Sequence, residues 1–263
     1  MMIAEKKPPV DATFLDMQAA VGVTKHPGGY AATTELLALC QIEEAHTVLN
    51  VGCGIGVGSV YLAKRYSCQV VGIDCSAQMI AWSCQRAREE GVADKVAFQV
   101  ADLLALPFAA NSFDLVFCES VLNFVANKAQ AIQELERVTK PGGYVGINEM
   151  CWLREAPDAL TPQVQAILGG DQPLPTAAAW QTIWAASGLQ EPVVQIHPVD
   201  PRQEVKDRIA WIGWRWLLRA WGRALRLYIR NPGVRAAIKA QFDFPLAVME
   251  QMGYGLFVGR KSV

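Results

Sequence analysis

Short apolar runs alternate with amphipathic stretches along most of the chain, and this alternation predicts a β–α repeat. Seven runs have the length and composition of strands, and most are followed by residues with helical spacing. Such alternation is typical of an α/β domain, in which helices cover both faces of a doubly wound, mostly parallel sheet. The predicted strands are 48–51, 69–73, 96–100, 113–118, 144–148, 192–197 and 255–259.

Helix signals fill the intervals between these strands. One helix is predicted from Ser76 to about Glu90, because Ser76 can cap its first turn and Gly91 can end its last. Further helices are predicted over 31–39, 58–66, 127–139 and 176–187.

The interval before the last strand departs from this simple repeat. About fifty residues fill it, and residues 203–230 have the spacing of one long helix. We therefore predict an N-terminal helical cap over 1–45, a sheet domain over 46–200 and 246–263, and a helical lid inserted at 201–245.

A glycine-rich turn follows the first strand and predicts a nucleotide-like cofactor. Residues 48–58 read Val-Leu-Asn-Val-Gly-Cys-Gly-Ile-Gly-Val-Gly. Glycine permits a tight turn and lets the backbone approach a ligand closely. A related turn binds dinucleotides, but Val57 stands where the pattern Gly-x-Gly-x-x-Gly needs its third glycine.

Acidic residues end the second and third strands. A carboxylate at the position of Asp74 can accept hydrogen bonds from both ribose hydroxyls of a bound nucleotide. Asp102 follows the next strand and is placed to accept a hydrogen bond from an adenine amino group. Because parallel strands end at one edge of a sheet, we expect the turn and both acids to surround one cleft.

Together these motifs resemble those of the class I S-adenosylmethionine-dependent methyltransferases. The shared elements are Val-Gly-Cys-Gly-x-Gly, Gly-Ile-Asp74, Ala-Asp102 followed by Leu-Pro-Phe, Ser-Phe-Asp114-Leu-Val and Lys-Pro-Gly-Gly. The resemblance covers roughly residues 45–150 and is nearest to the small-molecule methyltransferase type 11 group, which is related to ubiquinone-biosynthesis and sterol-type enzymes. Asn50 departs from the pattern, since the family usually carries an acid there and Asn brings no charge.

The resemblance implies a Rossmann-like methyltransferase fold, S-adenosyl-L-methionine as the cofactor, and no metal. It implies that the glycine turn passes beneath the cofactor, that Asp74 holds the ribose and that Asp102 holds the adenine. Met79 is expected to pack on the adenine ring, and N-terminal residues are expected to close the site. The predicted cofactor-binding residues are Tyr30, Asn50, Gly52, Cys53, Gly54, Asp74, Cys75, Met79, Asp102, Leu103 and Glu119.

Residues after the fourth and fifth strands are candidates for contact with a methyl acceptor. Glu119 is the first candidate for removing a proton, Glu149 is the second, and His26 is a third from the N-terminal segment. For each of them the sequence leaves a structural role open, as a loop carboxylate or a histidine in a capped turn. The predicted substrate-binding residues are Asn123, Phe124, Trp152, Trp211 and Trp214.

Positive charge is concentrated in the insertion. Residues 201–240 carry ten Lys or Arg against two acids, a net charge of +8 in a chain whose total is −1. Helical projection of 203–230 separates an arginine stripe from a broad arc of Trp, Leu and Ile side chains. Three interpretations stay open: a lid with its apolar face on the domain and its arginines in water, an aromatic wall for the acceptor, or contact with an anionic membrane surface.

Composition places the chain among globular proteins, with 52% hydrophobic and 19% charged residues. Seven cysteines without metal-type spacing indicate a reducing compartment, and no apolar run has the length of a membrane span. The first residues lack an apolar export segment, so the expected location is cytoplasmic. No nucleic-acid module is recognised, so nucleic acid is not an expected partner.

The sequence thus predicts a methyltransferase for a small, hydrophobic or aromatic acceptor. Two alternatives stay open: an NAD-dependent oxidoreductase, and a non-catalytic cofactor-binding protein that docks on a membrane or partner through its basic helix. The oligomeric state and the atom that receives the methyl group are open as well.

Overall fold

A seven-stranded sheet lies at the centre of the fold, in the order β3-β2-β1-β4-β5-β7-β6. Strands β1 to β5 pair in parallel, and β7 is antiparallel to both β5 and β6. The predicted fold class, a mostly parallel sheet of seven strands, is confirmed. The strands are β1 Thr47–Val51, β2 Gln69–Asp74, β3 Val96–Val100, β4 Phe113–Glu119, β5 Thr139–Trp152, β6 Gln190–Pro198 and β7 Met252–Arg260.

The computed structural model describes residues 14–42, 47–66, 68–155, 160, 164, 172–200, 206, 209–232, 234–235 and 246–263. Parts of the predicted cap and lid therefore lie outside the described residues, and the division into three regions stays a prediction. The helices are α1 Phe14–Val21, α2 Gly29–Leu39, α3 Val57–Arg65, α4 Ala77–Glu89, α5 Lys128–Val138, α6 Ala177–Ala185, α7 Trp214–Arg230 and α8 Leu246–Met249.

Side-chain caps begin the helices where the sequence predicts them. Ser76 Oγ accepts a hydrogen bond from the Met79 amide at 3.3 Å, and Thr176 Oγ1 accepts one from the Ala179 amide at 3.1 Å. Each cap satisfies an amide that has no partner within its helix. The ends of α4 and α6 agree with the predicted ends to within two residues.

Apolar residues on both faces of the sheet form the core. Val48 and Leu49 are both fully buried but belong to different clusters, because successive strand residues point to opposite faces. Leu49 packs with residues of α5 and α6, and Val48 packs with residues of α2 and α3. A sheet covered on both faces explains why these strands read as continuous apolar runs.

Strand register brings three functional positions to one edge. Val51 at the end of β1 is paired with Ile73 of β2 and with Cys118 of β4. The residues that follow these three positions are Gly52, Asp74 and Glu119. They therefore lie side by side at the carboxyl edge of the sheet, as the sequence predicts.

The insertion differs from its prediction in two ways. Gly213, with φ of 88°, separates helical residues 209–212 from α7, so the single helix predicted over 203–230 is interrupted within the described residues. The interpretation in which the apolar face lies on the domain is also wrong. Trp216 and Ala220 are buried, whereas most of the large apolar side chains of α7 are exposed.

Arg86 of α4 joins the insertion to the glycine turn. Its guanidinium donates to the Ile55 carbonyl at 3.2 Å and to the Ile212 carbonyl at 3.1 Å, and it lies 4.1 Å from the centre of the Trp216 ring. The side chain is almost fully buried, and burial lowers its pKa to about 10. This contact fixes the insertion against the part of the sheet edge where the glycine turn lies.

Candidate cofactor and acceptor site

A cavity of about 960 Å³ opens at the carboxyl edge of the sheet. Its wall combines the glycine turn, the ends of β2 and β4, the segment between α1 and α2, and one side of α7. Eleven of the predicted site residues line it: His26, Gly52, Gly54, Asp74, Cys75, Met79, Asp102, Leu103, Glu119, Asn123 and Phe124.

The glycine turn is shaped for close approach of another group. Gly52 has φ of 68° and Gly54 has φ of 54°, a backbone region that side chains other than glycine rarely adopt. A Cβ at Gly52 would collide with Val121 Cγ2, and one at Gly54 would lie 2.7 Å from Thr24 Oγ1. These two glycines therefore let Val121 and Thr24 lie directly against the turn, and all four residues line the cavity.

Asp74 supports the turn and keeps capacity for a ligand. Its two carboxylate oxygens accept hydrogen bonds from the Gly54 amide at 3.0 Å and the Ser76 amide at 2.9 Å. Burial raises the pKa of Asp74, and the two amides act in the opposite direction. Since a carboxylate has about four acceptor positions, two protein amides leave room for hydroxyl groups of a bound ligand.

Asp102 lies one strand further along the same edge. Its Oδ1 accepts a hydrogen bond from the Leu104 amide at 2.9 Å and so caps the short 3₁₀ turn Leu103–Ala105. The side chain of Leu103 is buried beneath this turn, while Asp102 is exposed and lines the cavity. Both predicted acids therefore face one cavity from neighbouring strands.

A hydrogen-bonded group of polar side chains surrounds Glu119. Thr33 Oγ1 lies 2.9 and 3.1 Å from the two carboxylate oxygens and donates to them, and Asn148 Nδ2 donates to Oε1 at 3.3 Å. His26 Nε2 lies 3.0 Å from both Thr33 Oγ1 and the Gly29 carbonyl. Because that carbonyl only accepts, Nε2 carries the ring hydrogen.

Glu149 is enclosed by the protein and does not face the acceptor cleft, where the sequence predicts it. Its carboxylate is fully buried and accepts hydrogen bonds from the amides of Val121, Leu122 and Asn123, at 2.8, 2.7 and 3.3 Å. Burial raises its pKa to about 7, although the three amides favour the charged form. Glu149 does not line the cavity, and its three amide contacts favour a role in anchoring the loop after β4; its catalytic role stays a prediction.

Three aromatic residues predicted to contact the acceptor do not line the cavity that the structure describes. Trp152 is 1% exposed and packs among Leu174, Val248 and Met252. Trp211 packs against the rings of His26 and Tyr30, and Trp214 lies on the outer face of α7. Trp152 lies at a strand end as predicted, whereas Gly213 separates Trp211 from Trp214. Side-chain direction depends on neighbours that the local sequence does not specify.

Three predicted cofactor residues lie beside the cavity without lining it. Asn50 is buried and donates to Ser59 Oγ at 3.0 Å, where an acid in its place would only accept. Cys53 is buried near Ser83, and Tyr30 packs against Tyr61. Asn50 and Cys53 thus support the turn from below.

Several wall residues were missed by the sequence reasoning. They come from α1 with the segment after it, and from α7: Gln18, Val21, Thr24, Leu217, Ala220, Trp221 and Ala224. For α7, the concentration of arginine and tryptophan in the insertion is the sequence feature that could have indicated a place in the cavity wall. The eight-residue helix α1 has only a weak amphipathic pattern.

Comparison with known proteins agrees with this geometry. Residues 49–147 match the family model described as methyltransferase domain. By this match, residues 49–147 are a methyltransferase domain. The predicted family is therefore confirmed, and S-adenosylmethionine, the predicted cofactor, is the one that this family uses.

Two curated relatives show how far the similarity reaches. Phosphoethanolamine N-methyltransferase 1 of Arabidopsis thaliana is 34% identical over 132 residues, which are 50% of this chain and 26% of that protein. The "Probable tocopherol O-methyltransferase, chloroplastic" of Oryza sativa subsp. japonica is 41% identical over 105 residues, 40% of this chain and 29% of that protein. The chain thus spans less than a third of the length of either relative.

A solved structure extends the likeness to the whole fold. Phosphoethanolamine N-methyltransferase 2 of Haemonchus contortus, in complex with S-adenosyl-L-methionine, matches 95% of this chain and 57% of that chain with a TM-score of 0.69. At 21% identity this likeness concerns the fold alone. Among the described residues of our chain, no helix combines the length and apolar character that crossing a membrane requires.

Proposed function

We propose that the chain is an S-adenosylmethionine-dependent methyltransferase whose acceptor is a small molecule with an apolar or aromatic body. The observation that carries this proposal is the convergence of the glycine turn, Asp74 and Asp102 on one cavity, which continues past Glu119 toward an apolar wall. An NAD-dependent enzyme is not favoured, because Val57 stands at the third glycine of the dinucleotide-binding pattern and because Asp102 would have no role in binding a dinucleotide.

The residues present fit the cofactor. The cradle at Gly52 and Gly54 would receive its methionine end, Asp74 would bind the ribose hydroxyls and Asp102 the adenine amino group. Met79 and Leu103 would pack beside the adenine ring. When bound, S-adenosylmethionine supplies an electrophilic methyl group that an acceptor atom attacks directly.

Beyond Glu119 the cavity becomes apolar, which supports an apolar acceptor. The protein holds such a group by excluding water and by fixing its orientation for in-line attack. One relative is named for tocopherol and another for phosphoethanolamine, and this wall favours the apolar kind of acceptor. The residues of the wall are Phe124, Val125, Met150, Met249 and Met252.

Glu119 is the group we assign to proton removal from the acceptor. It lines the cavity, and Thr33 and Asn148 orient its carboxylate while leaving further acceptor positions. A proton leaving an acceptor hydroxyl or amine would pass to this carboxylate as the methyl bond forms. His26 acts through Thr33 and is a positioning residue in this scheme.

Isothermal titration tests the cofactor assignment. We expect wild-type protein to bind S-adenosylhomocysteine and not NAD, and Asp74→Ala to weaken that binding by about tenfold to a hundredfold, since hydrogen bonds to a charged group contribute about 1.5–3 kcal/mol. Asp114→Asn is the matched control, because Asp114 pairs with Lys140 and Thr47 at the opposite edge of the sheet. Binding of NAD alone, or equal effects of the two substitutions, would overturn the assignment.

A further inference from the structure

Helix α7 presents an apolar face to solvent. Trp221 is 75% exposed and Leu218 is 61% exposed, although helices of globular proteins normally bury such a face. At about 100° per residue the exposed apolar side chains fall on one side of the helix. We call this set the outer stripe: Trp214, Leu218, Trp221, Leu225, Tyr228 and Ile229.

Specific bonds hold α7 in this orientation. Trp216 Nε1 donates to the Gly22 carbonyl at 2.6 Å, and Arg223 Nε donates to the Val21 carbonyl at 2.7 Å. Arg219 forms an ion pair with Glu89 of α4 at 2.8 Å. Because the opposite side of the helix is occupied by these contacts, the outer stripe cannot turn inward without breaking them.

Arginines flank the outer stripe, and α7 contains no acid. On the helical projection Arg215 and Arg226 lie next to one edge of the stripe and Arg230 lies further round the helix; all three are exposed. A second copy that covered this face by two-fold symmetry would bring arginine against arginine. The face therefore fits an occupant that is negatively charged at its surface and apolar just beneath it, which describes a bilayer with anionic headgroups.

We propose that the outer stripe and its flanking arginines dock the protein on an anionic lipid surface. Trp and Tyr side chains suit the headgroup level, and Leu and Ile suit the acyl region below it. Trp221 also lines the cavity, together with Leu217, Ala220 and Ala224 of the same helix. Docking would place the cavity beside the lipid, so an acceptor dissolved in the membrane could enter it; this last step rests on the proposed function.

Vesicle co-sedimentation tests the docking. The probes are vesicles of phosphatidylcholine alone and of phosphatidylcholine with about one third phosphatidylglycerol. We expect wild-type protein to bind the anionic vesicles at least tenfold more tightly. The double substitution Arg215→Glu with Arg230→Glu should lower that partition coefficient at least about twenty-fivefold, since each basic residue contributes about fivefold. Leu218→Ser with Leu225→Ser should lower it about tenfold or more.

The charge-matched control is Arg65→Glu with Lys95→Glu, at the opposite edge of the sheet. It should bind vesicles as the wild type does, and all variants should keep the wild-type affinity for S-adenosylhomocysteine. Equal binding to both kinds of vesicle, no binding by the wild type, or an equal loss in the control would overturn the proposal. So would a wild-type dimer in analytical ultracentrifugation that Leu218→Ser with Leu225→Ser dissociates. Vesicle binding without S-adenosylhomocysteine binding would leave the docking standing and refute the proposed function alone.

Discussion

Two substitutions of Glu149 distinguish a carboxylate that anchors a loop from one that transfers a proton. Its carboxylate accepts two short hydrogen bonds, from the amides of Val121 and Leu122, and a longer one from the amide of Asn123. Glu149→Gln keeps an oxygen for the two short bonds, whereas Glu149→Ala leaves all three amides without an acceptor. Both substitutions remove the carboxylate, so they lose acid–base chemistry equally.

The expected difference in the free energy of unfolding between these two variants follows from the hydrogen bonds that each one loses. An amide left buried without a partner costs about 1–3 kcal/mol, so two of them cost about 2–6 kcal/mol. The alanine variant also leaves a cavity. We expect Glu149→Ala to be less stable than Glu149→Gln by at least about 3 kcal/mol. For a chain of this size that lowers Tm by about 6 °C or more.

Thermal unfolding followed by tryptophan fluorescence measures the stability, and titration with S-adenosylhomocysteine measures the site. Val121 packs against Gly52, so the alanine variant should also bind this ligand more weakly. The reasoning fails if the two variants have equal Tm values. It fails as well if Glu149→Gln has wild-type Tm and ligand affinity but no turnover, because that pattern belongs to a proton-transfer residue.

Two further predictions concern carboxylates of the same region. Since burial raises the pKa of Glu149 to about 7 in the folded protein, its stabilising contribution is present below about pH 4.5 and is lost as the pH rises through 7. The stability of wild-type protein relative to Glu149→Gln should therefore fall by about 3 kcal/mol between pH 4.5 and 7 in urea titrations, and a flat difference would refute the assigned cause. Glu119→Gln should keep S-adenosylhomocysteine affinity within about threefold and lower methylation of a hydroxyl or amine acceptor about 10²–10⁴-fold. Unchanged turnover would remove Glu119 from the reaction.

The sheet edge could be predicted from the sequence because its signals are local. The glycine turn after β1 and the acids after β2 and β3 each have a fixed position relative to a strand end. Parallel pairing then brings Gly52, Asp74 and Asp102 together whatever the rest of the chain does. The same logic located Glu119.

Side-chain surroundings could not be predicted in this way. Glu119 and Glu149 both lie near strand ends, yet one lines the cavity and the other is enclosed by the amides of residues 121–123. That difference arises from the path of a loop after β4. For α7, projection found the two stripes, but the side that faces the domain is set by bonds to Gly22 and Val21, which lie almost two hundred residues earlier.

Arg86 links ligand binding at the glycine turn to lipid binding at the outer stripe. It is a buried cation with one hydrogen bond to the glycine turn and another to the insertion just before α7. Separating these segments would break the hydrogen bond to the Ile212 carbonyl and the contact of the guanidinium with the Trp216 ring. Occupancy of the turn and occupancy of the outer stripe should therefore be thermodynamically coupled, so that vesicles change the affinity for S-adenosylhomocysteine by the same factor by which that ligand changes vesicle partitioning.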